Sequence, residues 1–234
     1  QAPAVLVCDP GTDTRFAGID GVQVITTDRF AALVDTHDPA DADWSMDEDD
    51  VAVLLHTSGT TGDPKVAVLR QRHLTSYVLG SIDFMGADEG EATLVSVPPY
   101  HIAGIAAMLT SAFAGRRIVQ LPAFDPAAWV RLVRENAVTH AMVVPTMLGR
   151  ILDELDDGAG LPSLRHLSYG GGRMPLPVIE RAMALLPRVS FVNAYGLTET
   201  SSSILWVHEG CWCGMTVRSS TRSTGTDMTR ERRG

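Results

Sequence analysis

The chain has a single lysine among 234 residues, against eighteen arginines. It is also poor in cysteine, with three, and in aromatic residues, at 6%. Cys8, Cys211 and Cys213 are too few and too odd in number for a disulfide framework, and point to a reducing, cytoplasmic compartment. Cys211 and Cys213 lack the two-residue gap of common zinc knuckles and have no matching second pair. No apolar run approaches the ~18–20 residues of a membrane-spanning helix. No basic start followed by an apolar stretch marks a secretory leader. Positive charge is scarce: the net charge of −9 argues against a general nucleic-acid binder, which needs a basic surface. What remains is ordinary for a globular protein, 45% hydrophobic and 20% charged, long enough for one large domain or two modest ones. A chain that starts at Gln1 rather than Met is expected to be a fragment or a processed form.

The lone lysine closes the run Thr57-Ser58-Gly59-Thr60-Thr61-Gly62-Asp63-Pro64-Lys65. Apolar runs flank it, Val51–Leu55 before and Val66–Leu69 after, and both read as buried strands. Gly59 and Gly62 let the backbone bend and approach a ligand closely. Successive N–H groups in such a turn form an anion-binding nest, and the hydroxyls and Lys65 add donors and a full positive charge. The composition is that of a phosphate cradle; an ordinary Gly/Thr hairpin turn is the plainer alternative. A Walker A loop is excluded, because Asp63-Pro64 separates Gly62 from Lys65 and Val66 stands where Ser or Thr is required.

Along the rest of the chain strands alternate with helices. Strands are expected at Ala4–Cys8, Val22–Thr26, Thr93–Val97, Arg117–Leu121, Thr139–Val144, Leu164–Tyr169 and Val189–Ala194. Helices are expected at Arg70–Gly86, Ile102–Phe113, from Asp125-Pro126 onward, Pro145–Leu155 and Pro175–Leu186. Asp35–Asp50 carries eight acids and no Lys or Arg, and reads as a solvated loop. The alternation predicts an α/β fold with a mostly parallel sheet flanked by helices. Ligands of such sheets bind at the carboxyl ends of the strands, so the loops that follow strands carry the chemistry.

Three such loops stand out. Pro98-Pro99-Tyr100-His101 places a histidine where it can meet an anion or a carbonyl, or simply start a helix. Gly170-Gly171-Gly172 offers bare backbone to a flat ligand, or a plain flexible connection. Asn193-Ala194-Tyr195-Gly196-Leu197-Thr198-Glu199 supplies a ring for stacking on a base, a hydroxyl for a phosphate and a carboxylate for magnesium.

Thr57–Lys65 and Tyr195-Gly196-Leu197-Thr198-Glu199, with Tyr100-His101 and the three glycines between them, resemble the adenylate-forming superfamily. Its members are acyl- and aryl-CoA synthetases, luciferase and the adenylation domains of peptide synthetases, and the acyl-CoA synthetases are the nearest in pattern. The resemblance covers residues 4–204, the central part of the family's large N-terminal domain. It implies activation of a carboxylic acid by ATP and Mg²⁺ as an acyl-adenylate, with release of pyrophosphate and then transfer to coenzyme A. By resemblance, Thr57, Ser58, Gly59, Thr60, Thr61, Gly62 and Lys65 hold the β- and γ-phosphates. Gly170, Gly171 and Gly172 line the adenine and acyl pocket. Asn193 and Tyr195 contact adenine, Thr198 the α-phosphate and Glu199 Mg²⁺, while His101 lies beside the acyl carboxylate. Peptide-synthetase domains usually carry an Asp in the Tyr100-His101 loop; its absence here favours a fatty, aryl or other simple acid. A nucleotide- or acyl-binding module without catalysis is the alternative.

Two departures from the family pattern bear on this reading. Val66 stands where a glycine commonly follows the loop lysine. After Ile204 the composition changes, from 14 basic and 25 acidic residues through that point to 5 and 3 after it. The expected organisation is therefore the end of a preceding α/β subdomain with an acidic loop at 1–50, an ATP- and acyl-binding core at 51–204, and an aberrant or disordered tail at 205–234. The family's C-terminal domain, with its second functional lysine, is expected to be absent.

Overall fold

The computed structural model describes residues 5–38, 46–57, 65–155, 160–198, 202–209 and 218–219, the last two stretches by their backbone alone. It divides into two compact units, Gln1–Met46 and Asp47–Gly234.

In the first unit β1 (Val5–Cys8) pairs in parallel with β2 (Gln23–Thr26). A short 3-10 turn at Asp13–Arg15 lies between them. Helix α1 (Thr27–Thr36) follows β2 without a linker. The acidic stretch was expected to be loop from Asp35; instead its first two residues complete α1. Thr36 Oγ1 donates to Ala32 O at 2.9 Å, and His37 Nδ1 lies 2.7 Å from Leu33 O. None of the α1 side chains is buried, although Phe30, Leu33 and Val34 recur at helical spacing.

The second unit starts at Asp47 rather than at the expected residue 51. The last acids of the stretch are tied to the chain beyond them. Gln71 N donates to Asp50 O at 2.9 Å, Arg72 N donates to Glu48 O at 3.0 Å, and Arg72 pairs with Asp49. Strands β3 (Val51–Thr57) and β4 (Lys65–Arg70) form an antiparallel hairpin, followed by α2 (Gln71–Ser81). The α2 helix stops five residues short of the expected Gly86. Ile82 is already extended, with φ −149° and ψ 152°, and Met85 takes a left-handed φ of 51°.

The main sheet alternates β5 (Ala92–Val95), β6 (Arg117–Gln120), β7 (His140–Val143), β8 (His166–Gly170) and β9 (Ser190–Leu197) with helices. These helices are α3 (Ile102–Phe113), α4 (Pro126–Glu135), α5 (Pro145–Asp153) and α6 (Leu176–Leu185). The spatial order is β6-β5-β7-β8-β9, all parallel, continued by β10 (Ser202–Glu209) and β11 (Arg218–Ser219) running antiparallel. The chain winds from β5 outward to β6, crosses back, and builds β7, β8 and β9 on the other side. That reversal makes the β5–β7 boundary the topological switch point, where sheets of this kind form a ligand crevice at the strands' carboxyl ends.

One core joins the sheet to three helices on one face. Ala92, Leu94, Ala141, Val143, Leu167 and Phe191 of the sheet meet Trp129 and Val133 of α4, Leu148 and Ile151 of α5, and Ile179 and Ala182 of α6. Thr93 alternates with Ala92 and Leu94 and so faces the other way, where it accepts a 3.0 Å hydrogen bond from Ser111 of α3. Helix α3 therefore covers the opposite face. A second, smaller core of Leu55, Ala67, Leu69 and Leu74, with Ile102 and Ile105 against it, joins the hairpin, α2 and the start of α3.

The expected boundary at Ile204 falls inside β10. The β9–β10 ladder runs from Ser202↔Leu197 to Glu209↔Phe191, with a register shift between Ser203 and Leu205. Backbone pairing needs no compositional signature, and a bulge at Ile204 absorbs the irregularity. The rest of the expected tail, apart from β11, lies outside the described residues.

Candidate active site

Thr57 and Lys65 form the last registered pair of the β3–β4 hairpin, and Thr57 Oγ1 donates to Lys65 O at 3.4 Å. Ser58, Gly59, Thr60, Thr61 and Gly62 lie between them, outside the described residues. The loop does span a hairpin, and the phosphate reading concerns what that hairpin displays. Its strands are half-buried rather than buried as expected. Leu55, Ala67 and Leu69 face the small core, while Leu54, Val66 and Val68 are exposed. A continuous apolar run does not distinguish a strand covered on one face from one covered on both. Val66 extends along β4, a backbone a β-branched residue favours, so no glycine is required after Lys65.

His101 lies on the loop that leaves β5, at the switch-point crevice. It is the residue before α3, in extended backbone with φ −109° and ψ 141°, and no side chain caps the helix there. His101 N donates to Pro98 O at 3.0 Å, closing a tight turn. The Tyr100 ring is 67% exposed and lies 4.8 Å from the His101 ring at 54°. Gly104, one turn into α3, lets the loop pass directly over the helix. A β-carbon there would meet Pro98 O at 2.5 Å and Val97 O at 2.7 Å.

The three glycines leave the carboxyl end of β8 with different roles. Gly170 is still in the ladder, paired with Ala194, and a β-carbon on it would clash with Ala194 O. Gly171 takes a φ of +77°, which L side chains rarely adopt. At Gly172 the nearest atom to a β-carbon is Pro145 Cγ at 3.9 Å, an ordinary contact. The bare backbone expected here is therefore required at Gly170 and Gly171, and compatible with a side chain at Gly172. Val144 and Pro145, which begin α5, form the facing wall and carry no motif that would have announced them.

Asn193 and Tyr195 lie on β9, next to β8. Asn193 is level with Tyr169 and Val143, so it marks the same edge. Tyr169 is buried beneath it, whereas the Tyr195 ring is 58% exposed, available for stacking. Thr198 is half-buried just beyond β9, and Glu199 lies outside the described residues. Thus His101, Gly170, Gly171, Gly172, Asn193, Tyr195 and Thr198 lie along the carboxyl side of one sheet, and Thr57 and Lys65 stand on the hairpin that packs against the first turns of α3.

The strongest electrostatic perturbation is at the other end of the sheet. Burial pushes the His140 imidazole down to about 3, with the positive charge of Arg116 reinforcing it. His140 stacks on His166 at 4.7 Å, and Arg116 pairs with Glu91 at 2.9 Å. This cluster lies at the amino ends of β7 and β8, away from the crevice, and belongs to the scaffold. Among the described residues no group of three metal-ligating side chains occurs, and no helix is long and apolar enough to cross a membrane.

Comparison with known proteins adds three findings. The family described as AMP-binding enzyme matches residues 6–229. The 2-succinylbenzoate–CoA ligase of Bacillus licheniformis is 37% identical over 161 residues, 68% of this chain and 33% of that protein. The solved o-succinylbenzoate coenzyme A synthetase of Bacillus subtilis, in complex with ATP and magnesium ion, has a TM-score of 0.74 at 26% identity, over 89% of this chain and 42% of that one. The chain thus spans about a third of the length of the curated relative it matches. Of the fatty and aryl acids expected, the relative's name specifies an aryl acid and gives no support to a role in fatty-acid metabolism.

Proposed function

Since the chain belongs to the AMP-binding enzyme family, we propose that it forms the nucleotide- and acid-binding core of an acid–thiol ligase acting on an aryl carboxylic acid of the succinylbenzoate class. What supports this reading is that His101, Gly170, Gly171, Asn193, Tyr195 and Thr198 all lie towards the carboxyl edge of the sheet, the side on which such sheets bind ligands.

The chemistry is displacement at phosphorus. A carboxylate oxygen attacks the α-phosphorus of ATP, the P–O bond to the β-phosphate breaks, and pyrophosphate leaves. The acyl-adenylate that forms is a mixed anhydride, which the thiol of coenzyme A would attack to give the thioester, releasing AMP. Both reactants in the first step are anions, so the protein's contribution is positioning and charge screening.

The residues present fit that task. Lys65 is the only side chain of its kind and ends a donor-rich loop suited to the β- and γ-phosphates. Gly170 lets β8 and β9 close up and Gly171 turns the chain away beyond them, leaving bare backbone where adenine would lie, and the exposed Tyr195 supplies a stacking plane. Asn193 would contact the adenine edge and Thr198 the α-phosphate. Glu199 is the candidate ligand for Mg²⁺, which would neutralise phosphate charge when bound. His101, at the start of α3, would face the substrate carboxylate.

Substrate class is tested by an acid panel. ATP–pyrophosphate exchange stimulated by 2-succinylbenzoate and other aryl acids, and not by long-chain fatty acids, is the expected result. Stimulation by fatty acids alone would overturn the aryl assignment. Tight ATP binding with no exchange for any acid would favour a silent nucleotide-binding module.

A further inference from the structure

The switch-point crevice is not held open by backbone pairing alone. Strand β5 pairs with β6 at four positions, Ala92↔Arg117 to Val95↔Gln120, and Leu121 N extends the contact to Val95 O at 3.0 Å. Its pairing with β7 has two positions, Thr93↔His140 and Leu94↔Ala141. From Val95 onward β5 is laddered on one side, just before it turns into the Tyr100–His101 loop. At that point a side chain takes over. Ser96, 3% exposed, donates from Oγ to Met142 O of β7 at 3.4 Å. The Trp129 indole of α4, fully buried, donates from Nε1 to Ser96 Oγ at 3.2 Å.

We infer that Ser96, backed by Trp129, is a positioning residue that staples β5 to β7 across the opening of the ladder and so fixes where the His101 turn stands over the crevice. A buried hydroxyl with one donor aimed at it and one acceptor in front of it has a single satisfied orientation. The two strands then cannot spread without breaking the Ser96–Met142 bond in a dry site, where unpaired polar groups are costly. Gly104 completes the clamp from the far side, because the Val97 and Pro98 carbonyls rest where its side chain would be. The role in substrate binding rests on the ligase reading above; the staple itself does not.

Hydrogen exchange of the 234-residue chain tests it. In Ser96→Ala the amides of His101, Gly104 and Ile105, which bond to Pro98 O and His101 O, should exchange faster, on the order of tenfold for one lost buried partner. Ser96→Thr should restore them, and amides of β8 and β9 should stay as they were. Trp129→Phe, which keeps an aromatic ring in the core, should give a smaller effect at the same amides. Unchanged exchange at this turn, or equal acceleration across the whole sheet, would overturn the proposal. If acid-dependent exchange of pyrophosphate into ATP is present, Ser96→Ala should raise KM for the acid by a similar factor and leave KM for ATP alone; equal changes in both would also count against it. If that activity is absent in the unaltered chain, the ligase reading fails while the amide result still decides the staple.

Discussion

A β-carbon on Gly170 would lie 2.3 Å from the carbonyl oxygen of its ladder partner Ala194, closer than real contacts allow. The clash is with backbone on a strand that cannot move without breaking the β8–β9 register. Gly170→Ala is therefore expected to destabilise the chain by about 1–3 kcal/mol, the range for overpacking. Gly171→Ala should cost about 1–2 kcal/mol through its left-handed φ, and Gly172→Ala should be close to neutral. Urea denaturation of the three variants checks the order; a Gly172→Ala cost equal to that of Gly170→Ala would contradict it.

Tyr195 tests the adenine site. Its ring is exposed at a strand end where burial gives it no stabilising role. Tyr195→Ala should weaken ATP binding by about 1–3 kcal/mol, the worth of base–aromatic stacking, while Tyr195→Phe should retain most of it. Calorimetric titration with ATP and Mg²⁺ reads this directly. Equal affinity in Tyr195→Ala and the parent chain would remove Tyr195 from the site.

His140 sets an acid limit on stability. Its folded pKa of about 3 lies below the ordinary 6.5, so between those values the unfolded chain binds a proton the folded chain does not. Stability is then full above pH 6.5 and falls as pH drops toward 3. Because the side chain is 21% exposed, solvent screening narrows the pH window over which this stability is lost. Glu91, Arg116, Thr139, Arg165 and His166 surround it and shape the same transition. The difference between the parent chain and His140→Asn, measured by urea midpoints from pH 7 to pH 4, isolates this contribution. Parallel curves would contradict it.

Much of the fold was legible because local signals agreed with tertiary demands. Asp125-Pro126 reads as a helix start, and Asp125 Oδ1 accepts from Ala128 N at 2.8 Å. The run Ile102–Phe113 ends in small residues before Gly115 and forms α3 over that span. Where the sequence misled, two physical situations shared one pattern. Val51–Leu55 is apolar throughout, yet Leu54 faces outward, because a hairpin covered on one face tolerates what a buried strand requires. Helix α1 carries one short apolar repeat, Phe30, Leu33 and Val34, which lies exposed. In the site, His101, Gly170 and Tyr195 announced themselves by type and by position in or near the last residues of strands, where loops begin. Ser96 and Trp129 did not: a serine at the end of an apolar strand and a tryptophan on a helix have no chemistry until the fold brings them to 3.2 Å.

The central claim, that this core activates a carboxylic acid at the Lys65 loop, is tested most directly by exchange of labelled pyrophosphate into ATP. The parent chain should catalyse exchange that depends on 2-succinylbenzoate and Mg²⁺, and Lys65→Ala should lower it on the order of a hundredfold, the cost of removing one charge-stabilising donor. Exchange at the same rate in Lys65→Ala, or none from the parent chain with any aryl acid, would contradict the account.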